Sequence, residues 1–503
     1  MPFKNSKRTD SNKNKTEIKS IQDVYQQAKK SSDFFQFSPF KREDYLLISY
    51  YKSMVDAKAI NELLLPVIKE NCKKVKSLQE LEQLIPFEEV TLSEDPNDIE
   101  NKLIKGFVTV QFRDLKELLV INIQNEELGY RKNNETENEF SVIGPKVGFI
   151  ENINVNIHLL RKKIAVPELV FEEIKLGSLS KTEIAIAYIE GVTNPQYIQT
   201  VRQRLKDIDL DVIFDSSQIE QIFSDNSNTP FPIFLSTERM DRVVYAMISG
   251  QVAIFANGSP YIVTGPSTLL DFFISPEDYY LSWILGSFFR IIRIFGVIFS
   301  MFSTSLYVAI LTFHYEVIPK DLLQPLINSR AHVPFPPVLE AIFLEITIEL
   351  LREAGARLPT KIGQTLGIVG GIVIGQASVE AALTSNILLI IVSLSALASF
   401  TTPIFKMSNA IRLLRFPLII LAALLGGFGI AIGFVLLLSH LLKLTSLGNP
   451  YMVPLYPFRI NSFKDSFIRS SYKYTTKRSR FLRPLSLIRY RPKENKDDSN
   501  EWA

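Results

Sequence analysis

Residues 363–376 have the sequence GQTLGIVGGIVIGQ, an apolar stretch in which glycine recurs at every fourth position. Just upstream, residues 338–355 (VLEAIFLEITIELLREAG) are helix-like and apolar but carry four glutamates. In the 44 residues from Ile362 to Phe405, the only charged side chain is Glu380. A soluble domain rarely lacks charge over such a length, because charged residues cover its outside. This region therefore predicts a membrane protein.

The 503-residue chain divides into parts of different composition, which its formal net charge of +3 conceals. Residues 1–280 have an ordinary content of charged residues, whereas residues 284–442 contain long charge-free runs. Residues 459–503 carry 12 Lys and Arg against 5 Asp and Glu, a net charge of +7. The single cysteine, Cys72, excludes an intrachain disulfide.

We predict an α/β (or α+β) soluble N-terminal region of two subdomains, followed by an all-α multi-pass membrane domain and a basic C-terminal tail. The N-terminal arm is rich in Lys, Asn and Ser without an apolar core segment, which predicts disorder and no signal peptide. The dilute charge of residues 1–30 argues against nucleic-acid binding. The predicted boundaries are 1–40 for the arm, 41–145 and 146–280 for the subdomains, 284–442 for about four to six membrane segments, and 443–503 for the tail.

Hydrophobic periodicity predicts the main elements of the soluble region. Thr237 is predicted as the N-cap of a helix that runs to Ile248, and Asn257-Gly258 predicts the turn of a β-hairpin. The other predicted helices are Asp56–Leu65, Ser77–Leu84, Glu151–Ile164 and Asn194–Asp207, and the predicted strands are Phe107–Phe112, Leu118–Ile123, Glu168–Leu176, Glu183–Glu190, Gln251–Phe255 and Tyr261–Val263.

Five apolar segments follow, and the first, Ile294–Phe313, has the 20 charge-free residues that a bilayer core requires. Just before it, Arg290 and Arg293 are expected to reach lipid headgroups. The last segment, Phe416–Leu442, is interrupted by Gly426, Gly427 and Gly429 and is either one tilted helix or a hairpin. With a cytoplasmic N-terminal region, the distribution of basic residues favours crossings out, in, out and in before a final hairpin that ends inside. The middle three segments are Val338–Leu351, Leu366–Leu383 and Ile387–Pro403.

The glycine ladder, formed by Gly363, Gly367, Gly371 and Gly375, places a flat stripe on one helix face. Another helix can approach such a stripe at backbone distance, because no side chains stand in the way. The spacing leaves two alternatives open, which are packing within one bundle and self-association of copies around a common axis.

The acidic helix at 338–355 places Glu345, Glu349, Arg352 and Glu353 on one face. Carboxylates at membrane depth usually face water, a partner or a pore, so Glu345 and Glu349 are candidates for an ion path. The alternative is an interfacial helix whose Glu and Arg pairs solvate one face. Glu380 is a further ion-path candidate, and its alternative is a helix-end residue at the headgroups.

The sequence gives no indication of an enzyme, a cofactor or a metal site. The four histidines are scattered without metal-ligand spacing. The chain has no P-loop, no Rossmann fingerprint and no G-x-S-x-G. In the basic tail, residues 477–480 (KRSR) are predicted either to lie on anionic lipid headgroups or only to keep the tail inside.

Several stretches resemble the A subunits of GerA-type spore germination receptors. The resemblance covers about residues 140–470 in order. It is carried by PFPPVLEAIFLEITIELLREAGARLPTKIGQTLGIVGGIVIGQASVEAALTS (334–385), GPKVGFIENINVNIHLLRKKI (144–164), RVVYAMISGQVAIFANGSPYIVTGPSTLLDFFISPEDYY (242–280) and PLYPFRINSFKDSFIR (454–469).

This resemblance implies a function that composition does not show. Such A subunits lie in the inner membrane of spores, with a cytoplasmic N-terminal region of two subdomains. They act with a transporter-like B subunit that binds the nutrient and a C subunit that is a lipoprotein. The A subunit is expected to form a homo-oligomer that acts as a nutrient-gated channel and releases monovalent cations.

Two alternatives come from other classes of protein. A transporter-like subunit that carries the nutrient itself is favoured by the breaks at Gly426–Gly429 and near Gly370, because transporters place their sites at interrupted helices. A non-conducting scaffold that only holds the other subunits is the third hypothesis.

Overall fold

A computed structural model shows two five-stranded sheets, each with its own helices, followed by a bundle of apolar helices. Every strand pairing in both sheets is antiparallel, so the N-terminal region belongs to the α+β class. The structure describes residues 20–40, 46–71, 78–112, 117–125, 139, 143–357, 371–458 and 465–490.

The first sheet has the strand order β1-β2-β4-β5-β3. Alternate residues of β4, such as Val108 and Val110, enter a fully buried cluster together with Leu119 of β5, as the two-residue period of a strand requires. The strands are β1 (Phe34–Phe37), β2 (Leu46–Tyr51), β3 (Val90–Ser93), β4 (Phe107–Phe112) and β5 (Leu118–Asn122), and the helices are α1 (Ile21–Ala28), α2 (Ala57–Ala59), a π-helical turn (Ile60–Leu64), α3 (Leu65–Asn71), α4 (Leu78–Leu84) and α5 (Pro96–Lys105).

Residues 20–40 belong to this first unit, which corrects their predicted place in a disordered arm. Helix α1 begins with a capping box at Ser20 and packs its Val24 and Tyr25 against the sheet. The sequence suggested disorder because its Lys and Asn content hides the two turns of apolar residues that α1 buries.

The second sheet has the order β6-β7-β9-β10-β8 and is covered by helices on both faces. Ile184 and Ile186 of β7 point to one face, and Ala185 and Ala187 to the other. Thr237, predicted as a helix N-cap, is instead the last residue of β8, and the next helix begins after Arg239. The strands are β6 (Leu169–Leu176), β7 (Thr182–Ile189), β8 (Leu235–Thr237), β9 (Val252–Ala256) and β10 (Ile262–Gly265), and the helices are α6 (Ile153–Lys163), α7 (Pro195–Lys206), α8 (Ser216–Phe223), α9 (Met240–Ser249) and α10 (Glu277–Tyr280).

A buried ion pair joins the two sheet units. The Arg161 guanidinium of α6 donates to both carboxylate oxygens of Asp33, at 2.9 and 2.8 Å. Ser31 and Ser53 donate to the same carboxylate, each at 2.6 Å. Because both charged groups are buried and bonded, the orientation of the two units is specified at this point.

Within the residues that the structure describes, two helical segments are long and apolar enough to cross a membrane: α11 (Trp283–Phe313) and α16 (Phe405–Lys443), which is broken at Gly426. A shorter apolar helix, α15 (Asn386–Ser399), packs against α11. The other helices of the bundle among the described residues are α12 (Lys320–Arg330), α13 (Pro337–Arg357) and α14, which is described over residues 371–380. A short strand pair, β11 (Thr445–Ser446) and β12 (Asn449–Pro450), follows.

Helix α16 is a hairpin, which confirms one of the two predicted alternatives for this segment. Gly426 has φ +61° and ψ −140°, outside the helical region, and separates an outgoing arm (405–425) from a return arm (427–443). A methyl group on Gly433 would come within 2.5 Å of Leu418. A straight helix would hold these two residues about 22 Å apart, so the arms lie side by side.

The bundle has a near end at the sheets and a far end away from them. At the near end, Lys406 at the start of α16 pairs with Glu220 of α8, with a Nζ to Oε2 distance of 2.5 Å. At the far end, His314 contacts Gly427 at the tip of the hairpin. Helix α11 therefore runs from the near end to the far end.

The other helices alternate in direction. Helix α13 begins at the far end, where Glu340 accepts from the Ser385 N–H, and reaches the near end, where Arg352 lies over the Phe405 ring. Helix α15 starts directly after Ser385 and runs back, and α14 ends five residues before Ser385. These directions follow the predicted order out, in, out, in and hairpin, while the crossing of a membrane stays a prediction.

We expect Gly429→Ala to destabilise the chain by about 1–3 kcal/mol, because the new methyl group would overlap the carbonyl oxygen of Leu421 in the other arm. Thermal unfolding of the purified full chain in detergent measures the change. The matched control is Gly355→Ala in α13, where no described atom lies within 4 Å and alanine favours a helix. Equal melting temperatures for the two variants would contradict the close contact of the arms.

Candidate functional site

A buried ion pair lies in the middle of the helical bundle, between Glu345 of α13 and Arg415 of the outgoing arm. The Arg415 Nη1 is 3.1 Å from the Glu345 Oε2, and the two side chains are 3% and 4% exposed. Thr304 of α11 donates to the other carboxylate oxygen at 2.8 Å. The second guanidinium nitrogen donates to Ser300 Oγ and to the Ser395 carbonyl oxygen.

This polar centre, defined by Glu345, Arg415, Thr304, Ser300 and Ser395, gathers one or more groups from α11, α13, α15 and α16. A buried charge is costly unless it is paired and hydrogen-bonded. Here both carboxylate oxygens and two guanidinium nitrogens have partners. The arrangement therefore places a hydrogen-bonded charge pair at the point where four helices meet, and among the described residues the Arg415 Nε is buried without a hydrogen-bond partner.

The rest of the acidic face approaches the near end. Glu349 is half exposed and lies 3.9 Å from Arg412, a longer and weaker contact than that of Glu345. Glu353 is exposed and accepts from Arg357 at 2.9 Å, which is one of the solvating pairs of the interfacial alternative. Along this face the glutamates thus become more exposed towards the near end: Glu345 is buried, Glu349 is half exposed and Glu353 is exposed.

Glu340, the first glutamate of α13, is buried at the far end of the bundle. Its side chain is fully buried, accepts from Arg330 of α12 at 2.7 Å and from the Ser385 N–H at 3.2 Å. In the sequence, Glu340 is only a glutamate at the start of an apolar helix, and no basic residue lies three or four positions away to indicate an ion pair. Arg330 lies ten residues upstream, beyond a turn, so local pattern could not pair them.

Glu380 lies at the end of α14, where its exposed carboxylate accepts from Gln376 at 2.9 Å. This position corresponds to the helix-end alternative for Glu380. In the monomer its side chain is not brought together with Glu345 or Glu349 in the part of the chain that the structure describes.

The glycine ladder is described only in its second half, since Gly363 and Gly367 lie outside the described residues. Gly375 faces Leu389 of α15, and a methyl group there would lie 3.6 Å from it. Gly371 has no described atom within 4 Å of such a position. Gly375 therefore packs within the chain, whereas Gly371, one turn away, has no close neighbour among the described residues.

Arg290 and Arg293 do not extend to lipid headgroups, which corrects their predicted role. Arg290 is completely buried and donates to Asp278 and to the Asp465 carbonyl oxygen, at 3.2 and 2.6 Å. Arg293 donates to both oxygens of Asp278. The partners come from α10 and from the segment after the bundle, so the apolar sequence of α11 could not indicate them.

These residues form the joint between the sheets and the bundle, together with two tyrosines. Tyr279 and Tyr245 both donate to Asp465, at 2.8 and 3.4 Å. Burial raises the pKa of both phenols, and the Asp465 charge raises each pKa further. Both therefore stay neutral hydrogen-bond donors at physiological pH and fix the segment after the bundle against α9 and α10.

The described part of the basic tail packs on the second sheet unit. Arg478 donates to the Ile248 carbonyl oxygen at 2.6 Å, and the Arg489 guanidinium lies 4.7 Å from the centre of the Tyr245 ring. Leu485 donates its N–H to Val192. Arg478 therefore contacts protein, which agrees with the alternative in which the tail does not lie on lipid headgroups.

Comparison with known proteins identifies relatives over most of the chain. A family model described as "Bacillus/Clostridium GerA spore germination protein" matches residues 19–481. The chain is 48% identical to spore germination protein GerQA of Bacillus cereus, over 95% of each chain. It is 47% identical to spore germination protein GerIA of the same species over 90% of this chain and 68% of that one, and 36% identical to spore germination protein A1 of Bacillus subtilis (strain 168) over 90% and 91%.

Among solved structures, the N-terminal domain of the A subunit of the Bacillus megaterium spore germinant receptor GerK3 aligns with 49% of this chain and 92% of its own length. Its sequence identity is 28% and the TM-score is 0.37.

We expect Glu345→Gln to destabilise the bundle by about 3–5 kcal/mol, because Arg415 would keep its charge in a buried place without a carboxylate. The melting temperature of the purified full chain in detergent measures this loss. Glu353→Gln on the same helix is the control, and its exposed pair should contribute little. If the two variants have the same melting temperature, the pair of Glu345 and Arg415 does not stabilise the helical bundle.

Proposed function

Because the chain belongs to the GerA family of spore germination proteins, we propose that it is the A subunit of a nutrient germinant receptor in the spore inner membrane. In this proposal the subunit oligomerises, and the oligomer is a nutrient-gated channel that releases monovalent cations. The single observation that carries the proposal is the acidic face of α13, with Glu345 sealed by Arg415 and Glu349 half exposed beside it.

A membrane position is supported by the surface of the bundle. Large apolar side chains are exposed on α11 and on both arms of α16, among them Phe295 (67%), Leu424 (65%) and Phe428 (69%). Contact of these apolar side chains with lipid is favourable in free energy, whereas their contact with water is unfavourable. The sheets and the basic tail lie on the same side, because both meet at the joint near the start of α11. We propose that this side is cytoplasmic, because basic segments prefer the cytoplasmic side of a membrane.

The ion path is proposed to follow the carboxylates of α13 and α14. Acidic rings favour cations when an oligomer repeats them around an axis. Glu349 and Glu380 are open in the single chain, and Glu345 would contribute once its pair with Arg415 opens. We propose that the stripe of Gly363, Gly367, Gly371 and Gly375 provides the close helix contact within this oligomer.

The nutrient is proposed to bind mainly on a transporter-like B subunit, with a lipoprotein C subunit completing the receptor. Binding would shift a closed–open equilibrium of the oligomer. A ligand can shift such a balance only by its differential affinity for the two states. The cytoplasmic sheets, rigidly joined to α11 through Arg290 and Asp278, would follow any movement of that helix.

A second candidate function, a transporter-like subunit that carries the nutrient, is favoured by the break at Gly426. Transporters bind substrates at interrupted helices near the middle of the membrane. Here the break lies at the far end of the bundle, beside His314, so it suits a turn better than a substrate site. A non-conducting scaffold remains the alternative that conductance measurements decide.

We expect the purified receptor to produce cation-selective openings in a planar bilayer, and Glu349→Gln to reduce their cation selectivity by removing a negative charge from the path. Single-channel recording with and without the partner subunits measures this. Glu62→Gln, an exposed glutamate of the first sheet unit, is the matched control. A silent bilayer with a correctly assembled receptor would favour the transporter or scaffold hypothesis.

We expect Gly371→Leu to leave the melting temperature of the chain unchanged and to reduce oligomer formation and germination, because its described surroundings are open. Gly375→Leu should instead lower the melting temperature, because it faces Leu389 of the same chain. Native mass spectrometry of the receptor and the germination rate of spores measure the two effects. Normal oligomers with Gly371→Leu would contradict self-association through this stripe.

A further inference from the structure

His314, the residue that ends α11, holds the tip of the α16 hairpin by a hydrogen bond. The Gly427 N–H donates to the Nε2 of His314 over 3.0 Å. A backbone N–H can only donate, so this Nε2 is an acceptor and the ring is neutral while the contact exists. The contact joins the end of the first bundle helix to the turn of the last one.

The tip is shaped to fit the imidazole. A methyl group on Gly426 would lie 2.9 Å from the His314 Nε2 and 2.9 Å from the Phe313 Cβ. Gly426 also has a positive φ, which other residues rarely adopt. Two consecutive glycines thus leave the space that the ring occupies, and the seating of the tip depends on that ring.

The surroundings leave His314 as the titratable group at this contact. The hairpin contributes no charged side chain, because residues 416–439 contain none. Among the described residues, Tyr315 and Glu316 are the titratable groups that follow His314 directly in the chain, and α12 begins with Lys320 and Asp321. The His314 side chain is exposed, so protons reach it from the far end.

We propose that His314 is a positioning residue that makes the seating of the hairpin tip, and the response of the receptor, dependent on the pH at the far end of the bundle. An imidazole changes its charge between about pH 5 and pH 8. The protonated ring has two donors and no acceptor, so it would present an N–H to the Gly427 N–H. The contact is therefore present at higher pH and is lost as the pH falls.

This regulation rests on the proposed function, and its test does not require that the chain conducts ions. Spores that carry the full receptor are germinated with nutrient in buffers from pH 8 to pH 5.5, and the initial rates are compared. For the wild type we expect a fall of about fivefold, the factor that corresponds to one ordinary hydrogen bond. His314→Gln keeps a hydrogen-bond acceptor at a similar reach but has no titrating group. Its germination rate at pH 5.5 should therefore equal its rate at pH 8.

Two further variants complete the experiment. His314→Leu fills a similar volume without an acceptor, so it should germinate at the low rate at every pH. His332→Gln, in the exposed connector at the same end, should keep the wild-type pH profile. A wild-type profile for His314→Gln, or full rates for His314→Leu, would overturn the proposal. If His314→Gln removes the pH dependence while the purified receptor is electrically silent, the channel proposal fails and this one stands.

Discussion

The cost of burying charge determines how the helices of this bundle can pack. Glu345 and Arg415 are both almost completely enclosed, and each alone would be a severe penalty in an apolar bundle. Their pairing, completed by Thr304, Ser300 and Ser395, requires four helices to meet in one geometry. Apolar side chains alone would tolerate many arrangements of helices, whereas this pair tolerates few.

Two other buried charge groups act in the same way at the two ends. Arg330 and Glu340 close the far end, and Arg290 with Asp278 forms the near end. A slip of α13 by one turn towards the far end would move Glu345 to the place of Ala341. That place is a buried apolar cluster, where a carboxylate would have no partner. The polar layers therefore specify the register of the helices.

Sequence patterns predicted what depends on local spacing. The alternation in β4 and β7 and the common face of Glu345 and Glu349 follow from periods of two or 3.6 residues. The apolar segments of α11 and α16 follow from the length of their charge-free runs. The pairs that hold the molecule together could not be predicted in this way, because Arg415 lies 70 residues beyond Glu345 and Arg161 lies 128 beyond Asp33. Arg290 was misjudged for the same reason, since its partner Asp465 follows 175 residues later.

The distribution of charge also bears on where the proposed cation path would lie. A path through the centre of one bundle would pass Arg415, whose positive charge opposes cations and is balanced only by Glu345. The more open carboxylates, Glu349 and Glu380, lie towards the outside of the single chain. Facing surfaces of neighbouring copies would bring such carboxylates together, and Glu345 would join them only where its pair with Arg415 opens. Electrostatics therefore favours a path between copies, formed by faces that the single chain leaves open, over a path through each bundle.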